Sequence, residues 1–180
     1  GVDGLATGVA LIAAIGLALI AGINDNHFVA LLSLGLAGSL LAFLLFNFHP
    51  ARIFLGDTGS LFLGFTLATI ALMGFVKESI GLIFVVPVLV LGFPIFETFI
   101  SIFRRLLRGR PIFAGDRFHT HHRLLNLGLS QRQVALLLWG FCLICMVTAV
   151  LAVVYAEWRL PAIGIYCVAI CGLALVAGYV

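Results

Sequence analysis

Long runs of apolar residues dominate the chain, and polar residues collect in the short segments between them. Six of the runs are close to the roughly 20 residues that an α-helix needs to cross a bilayer. The fourth run contains Pro87 and Pro94, where we expect a kink or a break, because proline removes a backbone donor and clashes with the preceding turn. We predict six membrane-spanning helices, at residues 5–22, 28–46, 60–76, 79–103, 133–155 and 160–179.

The composition places this pattern in lipid. Hydrophobic residues make up 63% of the 180 residues and charged residues only 9%, whereas about a quarter of a soluble domain is charged. A chain of this length cannot bury so much apolar surface in one core, so the sequence predicts an all-α, polytopic transmembrane bundle. We expect residues 1–180 to form a single integral membrane domain with cytoplasmic loops at 47–59 and 104–132.

Basic residues are distributed unevenly between the two sides that six spans define. Eight of the ten lysines and arginines lie on the side that receives the start of the chain and the two long loops, and only Lys77 and Arg159 lie on the other. Loops rich in Lys and Arg remain in the cytoplasm. The first side is therefore predicted to be cytoplasmic. The same side receives most of the candidate polar groups, namely Asp3, Asp57, Asp116, His119, His121 and His122.

The segment NFHPARIFLGDTGS (47–60) leads into the third predicted span and places Asp57 between Gly56 and Gly59. Free backbone N–H groups at a helix N-terminus favour a phosphate. A carboxylate there could also hold Mg²⁺ together with phosphate oxygens, or it could simply cap the helix. The nearby Asn47 favours a functional role. Asp3, at the mouth of the first span, is either a second carboxylate of the same metal site or a polar stop at the interface.

The 104–132 loop holds seven arginines, one aspartate and three histidines. Arginine side chains bind phosphate oxygens bidentately, so the loop could hold a diphosphate. A basic loop that contacts anionic lipids would explain the arginines equally well, but it would not explain the histidines. Clustered histidines either bind a metal or donate hydrogen bonds to an anion.

Glu97 is an acidic residue well inside an apolar run. Acids buried in membranes are costly and are usually functional. Glu97 is either part of a functional site or the partner of a nearby arginine such as Arg104 or Arg105, and the sequence does not separate these interpretations.

Three separated segments resemble the polyprenyl-phosphate N-acetylhexosamine-1-phosphate transferases, glycosyltransferase family 4. GVDGLA is similar to the end of the family's Asp-Gly-x-Asp-Gly-Leu motif, and NFHPARIFLGDTGSLFLG is similar to the stretch around its metal-binding aspartate. PIFETFISIFRRLLRGRPIFAGDRFHTHHRLLNLGLS resembles its long cytoplasmic loop. The family's upstream Asp-Asp motif is absent, so we expect the chain to be roughly the C-terminal half of a longer enzyme.

The resemblance implies transfer of N-acetylglucosamine-1-phosphate, or a related N-acetylhexosamine-1-phosphate, from a UDP-sugar to undecaprenyl phosphate with release of UMP. Such transfer is the first membrane step of cell-wall or surface polysaccharide synthesis, at the cytoplasmic face of the bacterial inner membrane. The spacing of the three histidines favours the N-acetylglucosamine branch. The alternatives are a phospho-N-acetylmuramoyl-pentapeptide transferase, a membrane transporter and a histidine-ligated membrane oxidase.

The resemblance also implies roles for individual residues. The cofactor would be Mg²⁺, or Mn²⁺ in its place, held by Asp57 and Asp3. The expected catalytic residues are Asp57, Asp3, Asp116, His119, His121 and His122. The expected substrate-binding residues are Asn47, Gly56, Arg105, Arg110 and Arg117. The expected partners are a UDP-N-acetylhexosamine, a polyprenyl phosphate, the lipid bilayer and a second copy of the chain in a homodimer, with no nucleic acid.

Overall fold

A computed structural model of the chain describes residues 2–74, 88, 90–107, 109, 111 and 119–176. Within these ranges every regular element is helical, which confirms the predicted all-α class. A 3₁₀ turn at Ala156–Trp158 precedes the last helix. The α-helices are α1 (Leu5–Ile23), α2 (His27–Asn47), α3 (Gly56–Gly74), α4 (Gly92–Leu107), α5 (Thr120–Asn126), α6 (Gln131–Val154) and α7 (Arg159–Val176).

The described residues cover the six predicted spans only in part. Among the described residues, α1, α2, α3 and α6 are long and apolar enough to cross a membrane, and α7 is a shorter apolar helix. Part of the predicted span 79–103, namely residues 79–87 and 89, lies outside the described residues, and most of its described part belongs to α4. The 16 residues of α4 are only about 24 Å long, which is shorter than a hydrocarbon core of about 30 Å.

Helix α1 lies at the centre of the bundle and packs against α2, α3 and α6. Small residues on α1, such as Ala10, Ala13 and Ala14, are almost completely buried. Small side chains allow neighbouring helices to approach closely. Gly8 lies directly against α6, because an added Cβ there would overlap the ring of Trp139.

The outer faces of α2 and α3 are covered by large apolar side chains. Leu31, Leu45, Leu61 and Phe65 are each at least 70% exposed. Contiguous apolar surface of this kind is unusual in a soluble monomer and is expected where the surrounding solvent is lipid. Together with the long apolar helices, these faces identify a multi-pass membrane protein.

The start of α6 is fixed by a capping box. Ser130 Oγ accepts a hydrogen bond from the Gln133 backbone N–H at 3.3 Å, and Gln133 Oε1 accepts one from the Ser130 N–H at 2.9 Å. This arrangement satisfies two backbone donors that a helix start otherwise leaves unpaired. It also fixes the positions of Gln131 and Arg132, which contact the polar cluster described next.

Candidate active site

Asp3 is the centre of a polar cluster that joins the start of α1 to the loop after α2. Its Oδ2 atom accepts hydrogen bonds from His49 Nδ1 at 3.0 Å and from the Ala51 N–H at 3.2 Å. The Asp3 N–H donates to Gln131 Oε1 at 3.4 Å, and Arg132 Nε donates to the His49 carbonyl at 3.2 Å. The His49 hydrogen bond, followed by the Ala51 bond, lowers the pKa of the Asp3 carboxyl group.

Asn47 supports the same loop from inside the bundle. Its side-chain oxygen accepts a hydrogen bond from Thr7 Oγ1 at 2.7 Å, and its Nδ2 donates to the Ile53 carbonyl at 2.8 Å. Asn47 is only 6% exposed. The structure therefore shows Asn47 holding the loop that leads to α3, and direct contact with a substrate stays a prediction.

Asp57 is exposed on the first turn of α3. The preceding Gly56 has a φ of 65°, a left-handed conformation that suits glycine. Ser60 Oγ donates to the Gly56 carbonyl at 2.8 Å within the same turn. The loop held by Asp3 and Asn47 thus presents Asp57 to solvent at a helix N-terminus.

Glu97 belongs to a second polar cluster, which joins α4 to the start of α5. Its Oε2 atom lies 3.2 Å from His119 Nδ1, and both carboxylate oxygens accept from the Thr120 N–H, at 3.2 and 3.3 Å. Ser101 Oγ lies 3.4 Å from the same His119 nitrogen. The sequence left open whether Glu97 pairs with Arg104 or Arg105, and the structure shows its carboxylate in contact with His119 and Thr120.

The three histidines form a row along the start of α5. The rings of His119 and His121 are stacked with centroids 5.7 Å apart, and those of His121 and His122 lie 4.3 Å apart. Burial, together with the neighbouring charges of His122 and His119, lowers the pKa of His121 to about 4. His121 is therefore neutral near pH 7, with one nitrogen donating and the other accepting.

An apolar groove adjoins both polar clusters. Its volume is about 360 Å³, and its polar lining residues are Glu97, His121 and Ser60. Val2, next to Asp3, also lines it, and Ser60 lies one helical turn after Asp57. Most of the wall is apolar and comes from α1, α3 and α4 or the residues next to them, including Leu5, Val9, Ala13, Leu63, Leu67, Leu91 and Phe93.

The structure describes eight of the predicted site residues. Arg105 is partly buried on the last turn of α4. Three further predicted residues lie outside the described part of the chain, namely Arg110, Asp116 and Arg117. The remaining described residues divide between the Asp3 cluster, the start of α3 and the Glu97 cluster, as Asp3, Asn47, Gly56, Asp57, His119, His121 and His122.

The sequence did not point to His49, Ser101 or Gln131 as members of these clusters. His49 looked isolated because its partner, Asp3, lies 46 positions away along the chain. The partner of Gln131 is more distant still, 128 positions away. A single sequence carries no signal for such contacts.

Asp57 is the described carboxylate best placed to hold Mg²⁺, and a magnesium site there stays a prediction. Across the ranges that the structure describes, no group of three or more His, Cys, Asp or Glu side chains is placed to hold a metal ion. Mg²⁺ needs only one or two protein carboxylates when phosphates and water complete its shell. Exposed Asp57 offers such a carboxylate, whereas Asp3 has its Oδ2 atom engaged and offers Oδ1. A site shared by Asp57 and Asp3 stays a prediction.

Known proteins share these segments. The model of a family described as glycosyl transferase family 4 matches residues 1–75. The chain is 42% identical over 150 residues to a probable undecaprenyl-phosphate N-acetylglucosaminyl 1-phosphate transferase of Bacillus subtilis, a match that covers 83% of the chain and 42% of that protein. It is 36% identical over 158 residues to a decaprenyl-phosphate N-acetylglucosaminephosphotransferase of Mycobacterium leprae, covering 77% of the chain and 40% of that protein.

A relative with a different name is almost as similar. A phospho-N-acetylmuramoyl-pentapeptide-transferase of Halalkalibacterium halodurans is 36% identical over 158 residues, which cover 88% of the chain and 46% of that protein. The chain therefore spans about two fifths of the length of the curated relatives that it matches.

Proposed function

The chain belongs to glycosyl transferase family 4, and from this premise we propose that it transfers N-acetylglucosamine-1-phosphate, or a related N-acetylhexosamine-1-phosphate. The donor is a UDP-sugar, the acceptor is undecaprenyl or another polyprenyl phosphate, and UMP is released. The observation that carries this proposal is the apolar groove with Glu97 and His121 in its lining and the Asp57 turn beside it.

The groove matches the polarity of the proposed acceptor. A polyprenyl phosphate is apolar along its chain and carries a dianionic group at one end. Because such a chain already lies in lipid, apolar walls let it enter the groove without contacting unpaired polar groups, although they gain no transfer energy from water. The polar residues next to the groove would then hold the phosphate near Asp57 and the histidine row.

The proposed reaction joins two phosphate groups. A phosphate oxygen of the acceptor attacks the β-phosphorus of the UDP-sugar, and the bond from this phosphorus to the oxygen shared with the α-phosphate breaks. UMP leaves with that oxygen, and a polyprenyl-diphospho-sugar remains. A phosphate monoester is already mostly dianionic near pH 7, because its second pKa is about 6. Removing a proton from the acceptor is therefore a small part of the reaction. The greater obstacle is the repulsion between two negatively charged reactants.

The residues of this chain would offset that repulsion. Asp57 would hold Mg²⁺, which supplies positive charge to the phosphates when it is bound. Arg105 and the N–H groups of His119 and His122 would bind phosphate oxygens. The same role is proposed for Arg110 and Arg117, and Asp116 is proposed to orient them. Asp3 would place the loop that carries Asp57 and would offer its Oδ1 atom to the site.

Two branches of the family differ in the sugar that they transfer. The H-x-H-H spacing at 119–122 supports N-acetylglucosamine, as do the names of the relatives from Bacillus subtilis and Mycobacterium leprae. The Halalkalibacterium relative supports the second candidate, a transferase for N-acetylmuramoyl-pentapeptide. In either case we propose a multi-pass protein of the bacterial plasma membrane with its site on the cytoplasmic face, and its assembly as a homodimer stays a prediction.

The test uses membranes that contain the complete protein in which this chain occurs. With UDP-N-acetylglucosamine and undecaprenyl phosphate they should release UMP, and EDTA should stop the release. Asp57→Asn should lower the rate by about 100-fold or more, as expected when a charge-stabilising group is lost. The melting temperature should stay unchanged because Asp57 is exposed. Asp25→Asn, the same change in the turn between α1 and α2, is the matched control.

Each result has a distinct meaning. A normal rate for Asp57→Asn would refute the role of Asp57. UMP release only with UDP-N-acetylmuramoyl-pentapeptide would favour the second candidate. A folded protein that releases UMP from neither donor would overturn the proposed reaction.

A further inference from the structure

Glu97 is a mostly buried acid whose position requires an explanation. Its side chain is 12% exposed, and it lies in the lining of a groove that is otherwise mostly apolar. A carboxylate in such surroundings is costly unless charged or polar partners surround it. The partners that the structure provides, His119 and Thr120, both come from the start of α5.

Glu97 caps a helix to which it does not belong. The first N–H groups of a helix have no partner within that helix. The N-cap residue of α5 is His119, and its side chain makes no capping hydrogen bond. The Thr120 N–H donates instead to the Glu97 carboxylate, at 3.2 and 3.3 Å from its two oxygens. An anion at this end of a helix is also favoured by the helix dipole.

Glu97 also determines which edge of the His119 ring is available. A carboxylate can only accept, so His119 Nδ1 carries the proton in its 3.2 Å contact with Glu97 Oε2. Ser101 Oγ lies beside the same nitrogen at 3.4 Å. Nδ1 is thus turned towards α4, and Nε2 is the nitrogen left for a phosphate oxygen, to which it donates when both ring nitrogens carry a proton. A carboxylate behind a histidine commonly fixes its ring and tautomer in this way.

We propose that Glu97 is a positioning residue that sets the histidine row for phosphate. It fixes His119 directly, and it fixes His121 and His122 through the first turn of α5. His121 lines the groove together with Glu97, so a shift of this turn would move both rings relative to the groove. That the histidines face phosphate rests on the proposed function, whereas the hold of Glu97 on α5 does not.

The first experiment measures catalysis in the complete protein. Glu97→Gln keeps the size of the side chain but removes the charge and one acceptor. It should lower kcat for UMP release by about 10-fold to 100-fold, the effect of a displacement of about 1 Å, while KM for the UDP-sugar changes much less. Thr98→Val is the matched control, because the hydrogen bond that Thr98 Oγ1 makes among the described residues stays within α4, to the Pro94 carbonyl at 2.8 Å. It should leave both constants unchanged.

The second experiment does not depend on activity. Diethyl pyrocarbonate modifies accessible neutral histidine nitrogens, and His119 is 35% exposed. Mass spectrometry should show faster modification of His119 in Glu97→Gln than in the wild type, with no change in Thr98→Val. If Glu97→Gln does not fold, Glu97→Asp is measured in the same way, because it keeps the charge but shortens the reach to α5.

The two experiments separate the two proposals. The positioning role would be overturned by one combination of results. In that case the wild type releases UMP, and the folded Glu97→Gln variant shows an unchanged kcat and unchanged modification of His119. A silent wild type with faster His119 modification in the variant would overturn the proposed reaction and support the hold of Glu97 on α5. A fall in kcat together with faster modification supports both.

Discussion

At the scale of single residues, Asn47 joins three parts of the chain. It ends α2, accepts a hydrogen bond from Thr7 on α1 and donates one to the Ile53 carbonyl in the loop before Asp57. The Asn47 side chain is buried, so water cannot replace either hydrogen-bond partner. An unpaired polar group in such a place costs about 1–3 kcal/mol.

Asn47→Leu removes both hydrogen bonds and leaves two polar groups without their partner. We expect a loss of about 2 kcal/mol or more in the free energy of unfolding, and slower UMP release because the loop before Asp57 is less firmly held. Thr7→Val, which removes only one of the bonds, should have a smaller effect on both. Melting temperatures in detergent measure the difference. Equal melting temperatures for Asn47→Leu and the wild type would contradict the role of Asn47.

The sequence singled out residues that the structure places in the two polar clusters, but it did not indicate the hydrogen-bond partners of these residues. Asp3, Asn47 and Glu97 stood out because polar residues are rare in this chain. Their partners did not, since Thr7 is 40 positions from Asn47 and His119 is 22 positions from Glu97. Hydropathy predicts which residues lie in the membrane, and the charge of the loops predicts on which side the loops lie. It carries no information about which neighbour receives a proton or accepts a hydrogen bond.

At the scale of helices, the contact between α1 and α6 depends on the absence of a side chain. Trp139 of α6 lies against Gly8 of α1, and its ring is 5.4 Å from that of Phe48. A large aromatic residue opposite glycine lets the two backbones approach while the interface stays filled. The fit between α1 and α6 is therefore sensitive to any atom added at Gly8.

Gly8→Ala should separate these two helices. The new Cβ would overlap Trp139 Cε2, so the ring has to move. We expect a loss of about 1–3 kcal/mol, as is usual for overpacked interiors. Gly22→Ala, on the same helix with open space around it, is the control and should be neutral. Adding Trp139→Leu to Gly8→Ala should restore part of the stability. A Gly8→Ala protein as stable as the wild type would contradict this packing.

Hydropathy predicted the long helices well and the short ones poorly. The predicted bounds of α1, α2 and α6 agree with the structure to within two residues, because an apolar run of this length has few alternatives to a helix in lipid. α3 begins at Gly56, four residues before the predicted start. Hydropathy missed this first turn because the turn is polar. The polar, seven-residue α5 was not predicted at all. Its first turn is capped by Glu97 of α4, and this contact between distant residues leaves no local pattern in the sequence.

At the scale of the whole molecule, the polar contacts lie at one end of the bundle. Asp3 contacts the 47–59 loop, and Arg132 at the start of α6 contacts the same loop through the His49 carbonyl. These three segments had been assigned to one side of the membrane from the distribution of basic residues. Their contacts agree with a common side, and the identity of that side as cytoplasmic stays a prediction.

Cysteine labelling in intact cells tests the orientation. We expect Asp25→Cys, in the turn between α1 and α2, to react with a charged maleimide that cannot cross the membrane. Arg52→Cys, at the other end of α2, should react only after the membrane is permeabilised, because arginine-rich loops remain in the cytoplasm. Both positions are exposed, so access to the reagent decides the result. The parent protein is the control, because its cysteines in this chain all lie within the apolar helices α6 and α7. The opposite labelling pattern would invert the predicted orientation and would move the Asp57 site to the outer face.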